Sequence, residues 1–143
     1  QCEADPGSQQ GPPKAGPMSE PVFLSREAVD LIHEDSLHAF GGADGVRDEN
    51  ALESALAQPM HEYFYRQADL FQIAATYAFH IAENQPYIDG NKRTGLLSAL
   101  NFLAANGHVS DRPVDEYYDA MIGIAEKRVD KAGLAQVFRR GIP

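Results

Sequence analysis

Downstream of Ser25 the apolar residues recur at steps of three and four, the spacing of an amphipathic helix rather than of a strand. Ala28, Val29, Leu31, Ile32, Leu37 and Phe40 follow this period behind a serine suited to N-capping, and Gly41-Gly42 stops the run. The turn pair Asp44-Gly45 leads to Asp48, which caps a short second helix carrying Ala51, Leu52, Ala55 and Leu56 on one face and expected to end before Pro59. Met60 to Gln67, with Tyr63, Phe64 and Tyr65 in succession, fit neither period and are expected as a small hairpin or flap. Helical spacing returns over Ala68 to Glu83, where Leu70, Ile73, Ala74, Tyr77, Ala78 and Ile81 share a face, and Asn84 to Gly90 break it. Asn91 to Ala105 form a strong helix with apolar positions Leu96, Leu97, Leu100, Leu103 and Ala104, closed by Asn106-Gly107. Two more helices are expected over Val114 to Lys127 and Lys131 to Arg139. No alternating run reaches strand length, so the fold class is all-α, a compact bundle of about six helices with the small flap or hairpin as its irregular piece.

Composition changes this picture little. With 43% hydrophobic and 23% charged residues, the 143-residue chain has the balance of one ordinary globular domain. Residues 1–17 hold four of the nine prolines and three of the twelve glycines and no Leu, Ile, Val or aromatic residue, so they are expected as a disordered leader or expression remnant, with the domain proper at residues 18–143. The longest apolar run, Gly95 to Ala105, is about half the ~20 residues that a bilayer span needs, and no membrane partner is expected. A net charge of -9 repels phosphate backbones over most of the surface and argues against direct nucleic-acid binding. Cys2 is the only cysteine, which excludes an intramolecular disulfide and a Cys-based zinc site and suits the cytoplasm.

Candidate chemistry concentrates in the stretch Asn84-Gln85-Pro86-Tyr87-Ile88-Asp89-Gly90-Asn91-Lys92-Arg93-Thr94-Gly95. A turn with Gly90 delivers the chain into a helix N-terminus, where free amides and the helix dipole favour an anion. Lys92 and Arg93 lie at that same end, where cations oppose the dipole, and a phosphate would compensate them. Asp89 is the one acid of the cluster, and a lone carboxylate beside phosphate is a common way to hold Mg²⁺. Read from the residues alone, the stretch is either a Mg-nucleotide site or a capped helix start with two solvated cations. It matches neither a Walker pattern nor G-x-G-x-x-G.

Gln85 to Thr94 resemble the signature of the Fic/Doc (Fido) family, H-P-F-x-D-G-N-G-R, in its death-on-curing form, H-x-F-x-D-[A/G]-N-K-R-T. Gly45-Val46-Arg47-Asp48 with Leu52-Glu53-Ser54-Ala55-Leu56 resemble the family's upstream segment. Leu100-Asn101-Phe102-Leu103 with Asn106-Gly107 resemble the downstream helix, so the likeness runs from Phe23 to Arg140. The resemblance implies a small helical protein, ATP or another nucleoside triphosphate as co-substrate, Mg²⁺ as cofactor, and transfer of AMP or phosphate to a hydroxyl of a protein target. In the death-on-curing branch that target is a translation elongation factor. It assigns Asp89 to the metal, Gly90 and the following amides to phosphate, and Asn91, Lys92 and Arg93 to phosphate contact. Lys92 favours the death-on-curing branch, whereas Gly90 stands where that toxin has alanine, leaving phosphate against AMP transfer open.

One departure matters more than the match. The family's general base is the histidine that opens the motif, and here Gln85 stands in its place. Histidine takes a proton near neutral pH, worth about 10²–10⁴-fold in rate, and a carboxamide has no comparable basicity. Gln85 therefore marks a natural pseudoenzyme, a substitution that tames a toxic protein, or different chemistry. His80 is expected on the core face of its helix as a structural histidine, and His33, His38, His61 and His108 at surface positions or loop ends without metal-ligand spacing. The family's flap, which docks an extended target segment, falls on Met60 to Gln67; a plain apolar connection is the competing reading. No S/T-x-x-x-E-G/N inhibitory motif is present, so the resemblance implies a separate antitoxin chain as inhibitor. Two functions remain: a death-on-curing-like toxin domain weakened or inactivated by Gln85, or a non-catalytic Fido pseudoenzyme that binds nucleotide, an antitoxin, or both.

Overall fold

The computed structural model describes residues 20–143; the leader expected at residues 1–17 lies outside them. Six helices follow one another: α1 Arg26–Phe40, α2 Glu49–Arg66, α3 Leu70–Asn84, α4 Asn91–Ala105, α5 Asp115–Ala125 and α6 Lys131–Gly141. Among the described residues no strand forms, and the all-α expectation holds. The helix starts follow local chemistry. Ser25, Asp48, Asp69 and Asp130 each accept a hydrogen bond from a first-turn amide of the helix they precede, satisfying donors that the helix itself leaves free.

α3 is the central element. Ile73 to Ala78 are buried without interruption, which a helix shows only when neighbours cover it on several sides. α4 contacts it most extensively, and α2, α5 and α6 pack against it as well. Tyr77 of α3, Phe102 of α4, Tyr117 and Met121 of α5, and Leu134 and Phe138 of α6 form the main core. A smaller cluster, Val29, Leu52, Ala55, Ile81 and Tyr87, lies where α1, α2 and the segment after α3 meet.

Three expectations are corrected. α2 does not end before Pro59 but runs through it to Arg66, so Met60 to Gln67 form neither hairpin nor flap. A proline inside a helix costs about 3 kcal/mol. Burial of its ring works against that cost, together with the packing of the partly buried Tyr63, edge-on at 6.0 Å from Phe23, because fully burying one large apolar side chain contributes about 1.5–3 kcal/mol. The helix closes at Gln67, whose left-handed backbone lets the Gln67 and Ala68 amides donate to the Tyr63 and Glu62 carbonyls. α1 is rotated from the expected face: Val29, His33, Ser36 and Leu37 are buried, while Leu31 and Phe40 are both 57% exposed. In α4 the buried stripe includes Thr94, Gly95, Ser98 and Ala99 in addition to Leu96 and Leu103, and Ala104 is exposed. Small residues let α4 approach α3 so closely that a Cβ on Gly95 would lie 2.8 Å from the Ala78 carbonyl oxygen.

Candidate active site

The motif loop joins the two best-packed helices. α3 ends at Gln85, which adopts a left-handed conformation (φ 47°, ψ 56°) and donates its amide to the Ile81 carbonyl. Its side chain is exposed. Arg47 covers this helix end, with Nε donating to the Gln85 carbonyl at 2.6 Å and Nη2 to the Asn84 carbonyl at 2.8 Å, where a cation complements the dipole. The Arg47 and Asp48 amides both donate to the Pro86 carbonyl, the Ile88 amide donates to the Gly45 carbonyl, and Val46 and Tyr87 form an isolated antiparallel bridge. The segment Gly45 to Asp48, prominent in the sequence, is thus the splint along which the motif loop lies.

Asp89 is exposed, but its conformation is determined from two sides. The Ala43 amide donates to its Oδ2 at 2.8 Å, and its backbone carbonyl lies 2.8 Å from Nε2 of His33. Because a carbonyl only accepts, that bond places a proton on Nε2. The His33 ring stacks on Tyr87 with centroids 3.8 Å apart and planes 11° from parallel. The Tyr87 hydroxyl donates to Asp30 Oδ1 at 2.7 Å, and Arg26 pairs with both Asp30 and Glu49. Burial, and then the hydrogen bond to the Asp30 carboxylate, hold the Tyr87 phenol well above its usual pKa, so it stays a neutral donor. The Arg26 guanidinium is raised in turn, chiefly by its hydrogen bonds to Glu49.

α4 then starts at Gly90 (φ 81°), which supplies no side-chain cap. Asn91 turns back: its Oδ1 accepts from the Tyr87 amide and its Nδ2 donates to the Tyr87 carbonyl, both at 2.9 Å. Its side-chain amide therefore braces the loop from within, whereas the resemblance assigns it to phosphate contact. Lys92 is exposed. Arg93 is only partly exposed: its Cζ lies 3.7 Å from the centroid of Phe40 and 4.6 Å from that of Tyr118. Nη1 is buried without a hydrogen-bond acceptor among the described residues, its nearest charge being the exposed Asp115 carboxylate at 3.9 Å.

Of the histidines, His33 departs from expectation: it is buried, 3% exposed, and belongs to the site's support. The clue lay in the four-residue steps Val29, His33, Leu37, which put it on the inner face of α1. No local pattern links Asp30 or His33 to a loop more than fifty residues later. His80 is half-buried and accepts from Lys131 Nζ at 3.0 Å. Burial, then the Lys131 charge, lower its pKa to about 4.

The site is thus a loop braced on two sides that feeds an uncapped helix start, with Lys92 and Arg93 behind an exposed aspartate, and free amides at a helix N-terminus are groups that suit an anion. Residues 23–103 match the Fic/DOC family, and the chain belongs to it. Within that family it is similar to protein kinase doc of Escherichia phage P1, 33% identical over 119 residues that cover 82% of this chain and 93% of the phage protein. It is also similar to toxin Doc of Mycolicibacterium smegmatis, 35% identical over 117 residues covering 79% of this chain and 88% of that toxin.

Proposed function

We propose that the protein is a Doc-like toxin that transfers phosphate, or AMP, from a Mg-nucleotide to a hydroxyl of a protein target such as a translation elongation factor. It would act in the cytoplasm, restrained by an antitoxin on a separate chain, with catalysis weakened or abolished at Gln85. One observation carries the nucleotide part. α4 begins without a side-chain cap and without an acid in its first turn, whereas α5, also uncapped, has Asp115 and Glu116 there to satisfy its dipole. α4 instead has Lys92 and Arg93 beside its free amides, and Arg93 keeps a buried nitrogen without an acceptor. An anionic phosphate answers all of these demands together.

In this reading the first-turn amides and Lys92 bind phosphate, Arg93 is oriented by its two aromatic neighbours, and Asn91 braces the loop through Tyr87. Asp89 fits Mg²⁺ held with nucleotide oxygens: one carboxylate oxygen takes the Ala43 amide, and no group of three metal-binding side chains gathers among the described residues. Mg²⁺ of this kind keeps several waters and uses one or two carboxylates plus phosphate; it neutralises phosphate charge during transfer. Gln85, exposed at the mouth of the loop, stands where a base would take the target's proton, and its amide cannot.

Incubation with a translating lysate and ATP labelled at the α or the γ phosphate tests the proposal. Gln85→His is expected to raise labelling of one protein band by about 10²–10⁴-fold, from γ for a kinase and from α for an adenylyl transferase. Histidine is among the few non-glycine residues enriched in the left-handed region that position 85 occupies. Nucleotide binding by both forms with no labelling by either would overturn transfer in favour of a binding module.

A further inference from the structure

A carboxylate serves a metal only while the loop that carries it is held in one conformation. The loop of Asp89 is tied on one side to the segment Ala43 to Asp48 and braced from within by Asn91, and on its other side it is held by α1. We propose that His33 is a positioning residue of the candidate site: its Nε2–H holds the Asp89 carbonyl, and the stack of its ring on Tyr87 fixes the direction of that bond. The functional consequence rests on the Mg-nucleotide reading above.

Burying an imidazole is costly unless its polar atoms are paired, and a leucine would fill the same face of α1 without that cost. His33 is buried with Nε2 engaged on the loop backbone. α1 thus grips the loop at two points one helical turn apart: Asp30 takes the Tyr87 hydroxyl, and His33 takes the Asp89 carbonyl. The Asp30 grip is itself anchored, through Arg26, to Glu49 of α2. With the carbonyl held by His33 and Oδ2 held by Ala43, the Asp89 side chain has one direction in which to present its remaining oxygen. The same ring lies beside Gly90, where an added Cβ would meet its Cδ2 at 3.6 Å, so His33 also walls the turn into α4.

Two variants separate the donor from the ring: His33→Phe keeps an aromatic ring against Tyr87 and loses the N–H, whereas His33→Gln keeps a donor of similar reach. The measurements are amide hydrogen exchange over residues 87–92 and ATP affinity in Mg²⁺ and in EDTA. Exchange is expected to accelerate in His33→Phe, and the Mg²⁺-dependent part of ATP affinity to fall by about 10-fold or more, the usual consequence of losing support behind a metal ligand. His33→Gln is expected to restore most of both, and affinity in EDTA to stay near that of the parent. Unchanged exchange in His33→Phe, or, where the parent's ATP affinity does depend on Mg²⁺, an equal dependence in the variant, would overturn the inference. Equal losses of thermal stability in both variants, with neither readout moved, would reduce His33 to a core residue. If the parent binds ATP with no Mg²⁺ dependence while exchange still responds to His33→Phe, the Mg-nucleotide reading fails and the loop support stands. Should His33→Phe not fold, His33→Leu reads the same loss of donor at smaller volume.

Discussion

At the scale of single residues, the site is a set of backbone groups taken up by side chains from elsewhere. Tyr87 shows how specific the arrangement is: the motif carries phenylalanine at this position, and here a hydroxyl reaches Asp30 at 2.7 Å. Tyr87→Phe keeps the stack on His33 and removes a hydrogen bond to a carboxylate. It is expected to cost about 1.5–3 kcal/mol, read as a lower urea midpoint with an unchanged slope. Gly90 has the opposite constraint, space without conformational ease. An added Cβ meets nothing closer than 3.6 Å, yet φ is 81°. Gly90→Ala is therefore expected to fold and to lose about 1–2 kcal/mol through the left-handed backbone alone, again measured by urea denaturation.

At the scale of elements, two helix contacts deserve a quantitative test. α4 meets α3 through Gly95, and a methyl there would press on the Ala78 carbonyl at 2.8 Å, a backbone atom that cannot swing aside. Gly95→Ala is expected to destabilise by about 1–3 kcal/mol, and by displacing α4 to weaken nucleotide binding too. α3 meets α6 at His80, neutral and accepting from Lys131, with Glu62 and Glu83 as the facing acids. Its pKa is about 4 in the fold against 6.5 in a free chain. Between these values the unfolded chain binds a proton that the fold refuses, so stability falls as pH drops through that window and levels below it. His80→Gln is expected to flatten this part of a plot of urea midpoint against pH.

For the whole molecule, the balance of charge is strongly acidic at -9, yet the motif helix opens on two cations. On the proposed reading, a local positive end in an acidic field would select a compact polyanion that can reach it rather than a long phosphate backbone. Binding to the folded form alone raises stability by about 2.7 kcal/mol at a ligand concentration of 100 Kd, so ATP with Mg²⁺ is expected to raise Tm. Lys92→Ala is expected to remove most of that shift while leaving the ligand-free Tm unchanged, because its side chain is exposed. Arg93→Ala would remove the shift and also lower the ligand-free Tm, since its guanidinium is packed between Phe40 and Tyr118. Among the described residues no helix is long and apolar enough to cross a membrane.

Periodicity and capping residues determined five of the six helices to within a few residues, and the motif with its Gln85 is legible in the sequence itself, because caps, turns and a contiguous loop are local chemistry. Tertiary structure decided what locality cannot. Pro59 reads as a stop, and only the burial of its ring and the packing of the partly buried Tyr63 make α2 continue. Leu31 and Phe40 read as core, but a helix with apolar residues on more than one side turns whichever face its neighbours complement, and α1 turned His33 inward. Asn91 and Arg93 were recognisable as motif residues, whereas the bracing by the one and the aromatic clamp on the other depend on partners that folding alone brings near. The same holds for Asp89: its identity lies in the motif, and its orientation comes from His33 and Ala43, distant in sequence and hydrogen-bonded to it only once α1 packs beside α4.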